Sequence, residues 1–119
     1  LQAVNAGCIP PYIKRTTGEV EELDIGGFAL GQGFGGQLGY QSVSRTVSKD
    51  DLIILTTDGM IETYDPDRNL FGFDRLEQAI RSGPQSSAEA MLDHLRQEVT
   101  TFAQDTEPHD DLTVVVVRI

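Results

Sequence analysis

Two aliphatic runs bracketed by aspartates constrain this chain more than any other feature. Residues 52–55 read Leu-Ile-Ile-Leu and end in Thr56-Thr57-Asp58-Gly59, while residues 114–117 are four valines led in by Asp110-Asp111-Leu112-Thr113. Each run is strand-sized and rich in β-formers, and falls far short of the ~20 apolar residues a membrane helix needs. The stretch between them carries helical periodicity instead. Consecutive strands, a helical excursion and a returning strand predict an α+β domain with an antiparallel sheet rather than alternating βαβ units.

The rest of the chain fills in around these runs. Residues 1–4 make a short apolar start, followed by the small-residue turn Asn5-Ala6-Gly7-Cys8-Ile9-Pro10-Pro11, whose prolines remove two backbone donors and exclude a central strand. Residues 12–15 and 19–23 flank Thr16-Thr17-Gly18 and predict a hairpin. Residues 26–39 are glycine-rich and read as a loop, and residues 41–47 alternate as a strand with Val43, Arg45 and Val47 on one face. A short helical turn is predicted over residues 60–64, ended by Asp65-Pro66-Asp67. A helix is predicted from residue 71 to 82, with Phe73, Leu76, Ala79 and Ile80 inward and Gly83-Pro84 as its stop. The next helix opens on a capping-box pattern, Ser86 with Glu89, and carries one apolar stripe of Ala88, Met91, Leu92, Leu95, Val99 and Phe102.

Length and charge exclude several classes of function. With 119 residues the chain is one domain or part of one, and its opening at Leu1 without a methionine is read as a cut within a longer polypeptide. Nineteen acidic against nine basic residues give a formal net charge of −10, which argues against a nucleic-acid surface and against anionic lipid. The single cysteine, Cys8, excludes an internal disulfide framework and fits a reducing, cytoplasmic compartment; it reads as a small buried residue of a turn.

Several motifs bear on chemistry. Gly31-Gln32-Gly33-Phe34-Gly35-Gly36 matches G-x-G-x-x-G by letter, but Gln37-Leu38-Gly39-Tyr40 leads on into a strand, so the phosphate-binding context of a strand before and a helix after is missing. A loop bordering an active site is the better reading. Asp58-Gly59 is a strong turn dipeptide, and equally a carboxylate held rigidly at a strand end with room for close approach. Asp110-Asp111 is either a charged guard on the valine strand or a second strand-end carboxylate cluster. If the two strands are neighbours, these carboxylates can face one cation, and hard oxygen donors suit Mg²⁺ or Mn²⁺. His94 reads as a solvated helix-surface residue and His109 as a loop residue.

Taken in order, the motifs resemble one family. The 5–11 turn is similar to an N-A-G-H-x-P-P turn. Residues 52–62 are similar to a strand, T-D-G and acidic-helix signature, Phe71-Gly72 stands before a helix, and residues 110–115 are similar to D-D-x-T with a terminal strand. These are features of the SpoIIE/RsbU-like branch of the PPM (type 2C) metal-dependent serine/threonine protein phosphatases, and nearly the whole chain resembles the C-terminal part of that single domain. The resemblance implies two antiparallel sheets in a β-sandwich with helices outside, incomplete at the N-terminus of residues 1–119. It implies hydrolysis of a phosphoserine or phosphothreonine ester by water activated at a two-metal site of Mn²⁺ or Mg²⁺. Asp58 and Asp110 match metal-ligand aspartates acting catalytically through that water, Asp111 matches a polar neighbour at the metal, and Gly59 supports the turn. Cys8 departs from the family histidine, and the family's first metal aspartates lie in the N-terminal half of its domain, so a chain of this extent is expected to be inactive alone.

The resemblance also implies partners. The substrate would be a phosphorylated regulator of bacterial signalling, of the anti-anti-sigma (STAS-like) kind, and a sensor or receiver domain would stand upstream. No nucleic acid and no membrane are expected, and a homodimer is one way to cover an open sheet edge. Two other readings compete. One is a non-catalytic interaction domain on a degenerate phosphatase fold. The other, an HD-type nucleotide phosphohydrolase suggested by His109-Asp110, requires an all-helical fold that the valine strand opposes.

Overall fold

The computed structural model describes residues 1–106 and 110–119. In chain order the elements are β1 (Gln2–Val4), β2 (Tyr12–Lys14), β3 (Val20–Glu22), α1 (Gly35–Leu38), β4 (Ser42–Ser44), β5 (Leu52–Thr56), α2 (Asp58–Ile61), α3 (Gly72–Ser82), α4 (Ala88–Ala103) and β6 (Val114–Arg118). They form a four-stranded sheet in the order β3-β2-β5-β6 and a two-stranded sheet of β1 and β4, antiparallel throughout. β6 returns to the sheet after the helical excursion, as expected, and its partner is β5, so the two aliphatic runs are neighbours, Thr56 opposite Val114 and Leu52 opposite Arg118.

Side-chain alternation sorts the large sheet into two faces. Tyr12, Leu52 and Ile54 point to one face and pack with Met60, Leu76, Ile80, Met91 and Leu95, so α2, α3 and α4 cover that side. Ile13 points to the other and joins Leu23 and Ile25 in a smaller core closed by Ala3, Val43 and Val47 from the β1–β4 side. Toward β6 this second face is open: Leu55 lies opposite Val115, and both are more than 40% exposed, as is Val117.

Polar side chains tie the layers together. Asp51 is buried; its carboxylate accepts from the backbone N–H groups of Ser48 (2.9 Å) and Thr16 (3.2 Å) and pairs with Arg15 at 3.0 Å. Burial by itself would raise its pKa, but these donors outweigh it and hold the carboxyl below its ordinary value. Arg15 and Arg45 both grip Glu21, at 2.7 and 2.6 Å, linking the β2–β3 hairpin to the segment after β4. Lys14 is buried on β2, and its ammonium donates to the carbonyls of Ile80 (2.8 Å), Arg81 (2.9 Å) and Gly83 at the end of α3. Burial lowers its pKa.

Several sequence expectations shift in detail. The strand over 41–47 shortens to β4; its pairing runs out where Arg45 and Leu1 exchange backbone bonds, beyond which residues 46 and 47 have no partner strand. The glycine-rich loop contains the single turn α1 rather than leading straight into a strand, but β3 ends well before it and no strand–turn–helix unit is formed. The helical turn expected over 60–64 begins earlier, at Asp58, because Thr57 is extended and acts as its N-cap residue. Phe73 is exposed on α3, and Phe71, just before the helix, is buried in its place and stacks edge-on against Phe102. The cap of α4 is Ser87, whose hydroxyl accepts from Ala90 N–H at 3.0 Å; the helix starts one residue later than a Ser86–Glu89 box requires. His94 is not a solvated surface residue: its Nε2 lies 3.0 Å from the Ala79 carbonyl, tying α4 to α3. Cys8 is exposed rather than buried, and His109 lies outside the described residues.

Candidate functional site

The site forms where β5 ends and β6 begins. Because the two strands are antiparallel, the C-terminal end of β5 and the segment leading into β6 lie at the same edge of the sheet. Thr57 stitches them: its N–H donates to the Thr113 carbonyl (3.1 Å), its hydroxyl donates to the Asp111 carbonyl (3.2 Å), and that hydroxyl accepts from Thr113 N–H (3.0 Å). Asp58 is therefore presented as the first residue of α2 by a strand end pinned to the segment that leads into β6.

Gly59 explains how the two aspartate segments come so close. A Cβ at this position would lie 2.6 Å from the Asp111 carbonyl oxygen and 3.0 Å from its carbon. Only a hydrogen at that place lets residues 111 and 112 lie against the Asp58 turn. The close approach of the two motifs thus depends on the missing side chain at residue 59.

Asp58, Asp110 and Asp111 are all exposed, and among the described residues none pairs with a lysine or arginine. The side-chain bonds of Asp58 and Asp110 are local: Asp58 Oδ1 accepts from Gly59 N–H at 3.1 Å, and Asp110 Oδ1 from Asp111 N–H at 2.7 Å. Uncompensated carboxylates with free lone pairs are the donor chemistry a hard divalent cation takes. Among the described residues, however, no three His, Cys, Asp or Glu side chains converge into a ready cage. The donor set fits Mg²⁺ or Mn²⁺ in kind, without the full ligand complement.

A groove of about 360 Å³ opens beside Asp58, walled by the 7–10 turn, by Thr56 and Thr57, and by Phe73. Sequence reasoning assigned no part here to Cys8, Phe73 or Thr57. The exposed Phe73 breaks the inward stripe expected of its helix. Asn5 holds the turn in shape: its amide donates to the carbonyls of Cys8 (2.8 Å) and Ile25 (2.9 Å), and its oxygen accepts from Cys8 N–H (2.8 Å).

The family model for Stage II sporulation protein E (SpoIIE) matches residues 1–119. The chain belongs to the SpoIIE family. No curated protein matches it. Among solved structures it is similar to the PP2C phosphatase domain with part of the regulatory domain of SpoIIE from Bacillus subtilis, at 24% identity and a TM-score of 0.81, covering 99% of this chain and 33% of that one. It is similar to the SiaA PP2C domain of Pseudomonas aeruginosa at 20% identity and a TM-score of 0.81, covering 99% and 46%. A manganese-presoaked form of the B. subtilis SpoIIE phosphatase domain matches at 24% identity and a TM-score of 0.73, covering 99% and 50%. These likenesses establish the PP2C-type fold, of which this SpoIIE-family chain spans between a third and a half of the length of the solved chains.

Proposed function

We propose that this SpoIIE-family chain supplies part of the metal-dependent active site of a serine/threonine protein phosphatase. The observation that carries this reading is the Gly59 contact, which packs the Asp110-Asp111 segment against the Asp58 turn at one edge of the sheet. Asp58 and Asp110 would supply oxygen ligands, with Asp111 as their polar neighbour. When bound, Mn²⁺ or Mg²⁺ lowers the pKa of a water and offsets the charge of a phosphate ester. Thr57 and Gly59 fix the distance between the two aspartate segments, and carboxylates on strand ends lose little freedom when they bind. The groove between the 7–10 turn and Phe73 would receive the phosphorylated residue. Remaining ligands would come from residues beyond this chain in the complete domain, so residues 1–119 alone would be inactive. The substrate would be a phosphorylated regulator of anti-anti-sigma type in the bacterial cytoplasm.

The test is Mn²⁺-dependent hydrolysis of an aryl phosphate and of a phosphoserine protein by the full-length protein, with Mn²⁺ affinity by calorimetry. Asp58→Asn and Asp110→Asn are each expected to reduce turnover at least a hundredfold and to weaken Mn²⁺ binding. Native turnover unchanged by both substitutions sinks the assignment. Absence of both activity and Mn²⁺ binding in the native protein leaves an interaction domain on a phosphatase fold.

A further inference from the structure

The segment that carries Asp110 is fastened at both ends to one short stretch of chain. At its far end, residues 111 and 112 seat on Gly59, and the Asp111 carbonyl accepts from the Thr57 hydroxyl. At its near end stands Thr106, just past α4. The Thr106 hydroxyl lies 2.9 Å from the Tyr64 carbonyl oxygen and 2.8 Å from the Ala103 carbonyl oxygen, and its N–H donates to the same Ala103 carbonyl at 3.0 Å. Three residues stand between Thr106 and Asp110 in the sequence, so the chain joining them reaches at most ~14 Å. Where Thr106 sits therefore limits where the Asp110 carboxylate can go.

Tyr64 belongs to the same fixed piece of structure as Asp58. Thr63 donates its hydroxyl to the Gly59 carbonyl at 2.8 Å, which bonds residues 63 and 64 back to the turn whose first residue is Asp58. Tyr64 bridges Leu70, and Phe71 N–H donates to the Thr63 carbonyl at 2.7 Å, closing residues 63–71 into a loop. Phe71 is buried and stacks edge-on with Phe102 of α4, a contact that holds this loop to the helix without Thr106. Loss of the Thr106 hydroxyl thus leaves the frame standing and releases the tie between Tyr64 and the start of the Asp110 segment.

The exit from α4 adopts this path at a cost. Gln104 has a φ of 53°, in the left-handed region that glycine fills without strain and glutamine does not. It turns the chain so that Thr106 comes back onto Ala103. Such a turn persists only where its surroundings hold it. The Thr106 hydroxyl, half-buried between two carbonyls, is a group that does so. Polar groups that orient a metal's ligands from outside carry roughly 10–100-fold of metal affinity. Resting on the phosphatase reading above, we infer that Thr106 is a positioning residue for Asp110: its hydroxyl, set between the Tyr64 and Ala103 carbonyls, fixes where the Asp110 segment stands relative to Asp58.

The experiment uses the full-length protein, with Mn²⁺ affinity from calorimetry, the Mn²⁺ dependence of aryl phosphate hydrolysis, and hydrogen exchange over residues 110–113. The variants are Thr106→Val, which keeps the shape and removes the hydroxyl, Thr106→Ser, which keeps the hydroxyl, and Ser87→Ala, which weakens α4 at its opposite end. For Thr106→Val the expected result is Mn²⁺ binding and half-activation weakened about tenfold or more, kcat recovered at saturating Mn²⁺, and faster exchange over 110–113. Thr106→Ser is expected to stay near native on all three, and Ser87→Ala to lower the unfolding temperature while leaving Mn²⁺ affinity as it was. Native Mn²⁺ affinity in Thr106→Val overturns the inference while the phosphatase reading stands. A loss that Ser87→Ala reproduces, or that Thr106→Ser does not restore, also overturns it and assigns Thr106 to folding alone. If Thr106→Val does not fold, Thr106→Ala is read in its place, and failure of both to fold overturns it likewise. If the native protein neither binds Mn²⁺ nor hydrolyses the ester, the phosphatase reading falls. Exchange over 110–113 that still rises in Thr106→Val and not in Thr106→Ser then upholds the positioning role, and unchanged exchange overturns it as well.

Discussion

Gly59 shows how one missing methyl can set the geometry of a site. Its neighbours on the far side are backbone atoms of residues 111 and 112, which cannot swing aside as a side chain can. Gly59→Ala is expected to destabilise the chain by about 1–3 kcal/mol through overpacking. It should also weaken Mn²⁺ binding by prising the two aspartate segments apart, seen as a lower denaturation midpoint and a weaker calorimetric isotherm. Asp51 acts at the same scale but for stability. Its carboxyl is held below the ordinary value, so its contribution is fully present above the unfolded pKa and is lost as pH falls through the folded one. Unfolding temperature should therefore drop on acidification below about pH 4, and Asp51→Asn should flatten that dependence in a thermal melt.

At the scale of elements, two devices hold the helices in register with the sheet. Ser87 caps α4 with one side-chain bond, and Ser87→Ala should cost about 1 kcal/mol in urea unfolding. Lys14 works across elements: a side chain on β2 satisfies three carbonyls that the end of α3 leaves without intrahelical partners. Lys14→Met keeps the apolar stem but strands those carbonyls in a buried place. It should destabilise by about 2 kcal/mol and raise hydrogen exchange in the last turn of α3, while Mn²⁺ binding, at the other end of β5, stays as it was.

Across the whole molecule, the helices cover the centre of one face of the four-stranded sheet, leaving Val20, Val114 and Val116 partly buried at its edges, whereas the β1–β4 pair covers the opposite face only on its β2–β3 side. Leu55, Val115 and Val117 are the exposed remainder. Among the described residues no helix is long and apolar enough to cross a membrane. The candidate site lies at one end of the sheet, at its edge rather than on the face that the helices cover. Asp58 and residues 110 and 111 lie just beyond the paired strands, where an exposed charge costs little and the Thr57 and Gly59 contacts hold the two segments together.

Much of this was legible in the sequence because it derives from local periodicity and turn chemistry. The residue patterns of 52–56 and 114–117 specify strands, the stripe from Met91 to Val99 specifies a helix, and Thr16-Thr17-Gly18 specifies a hairpin, each within a few neighbouring residues. The aspartates at the two strand ends were visible for the same reason. Tertiary structure alone decided the rest. A one-residue change in where α4 begins moves the cap from Ser86 to Ser87, and tertiary packing turns Phe73 outward and Phe71 inward. The burial of Lys14 under α3, the exposure of Cys8 beside Asp58 and the seating of Asp111 on Gly59 join residues far apart in the chain. No local pattern encodes such contacts, because their energy arises only when the sheet and helices have already met.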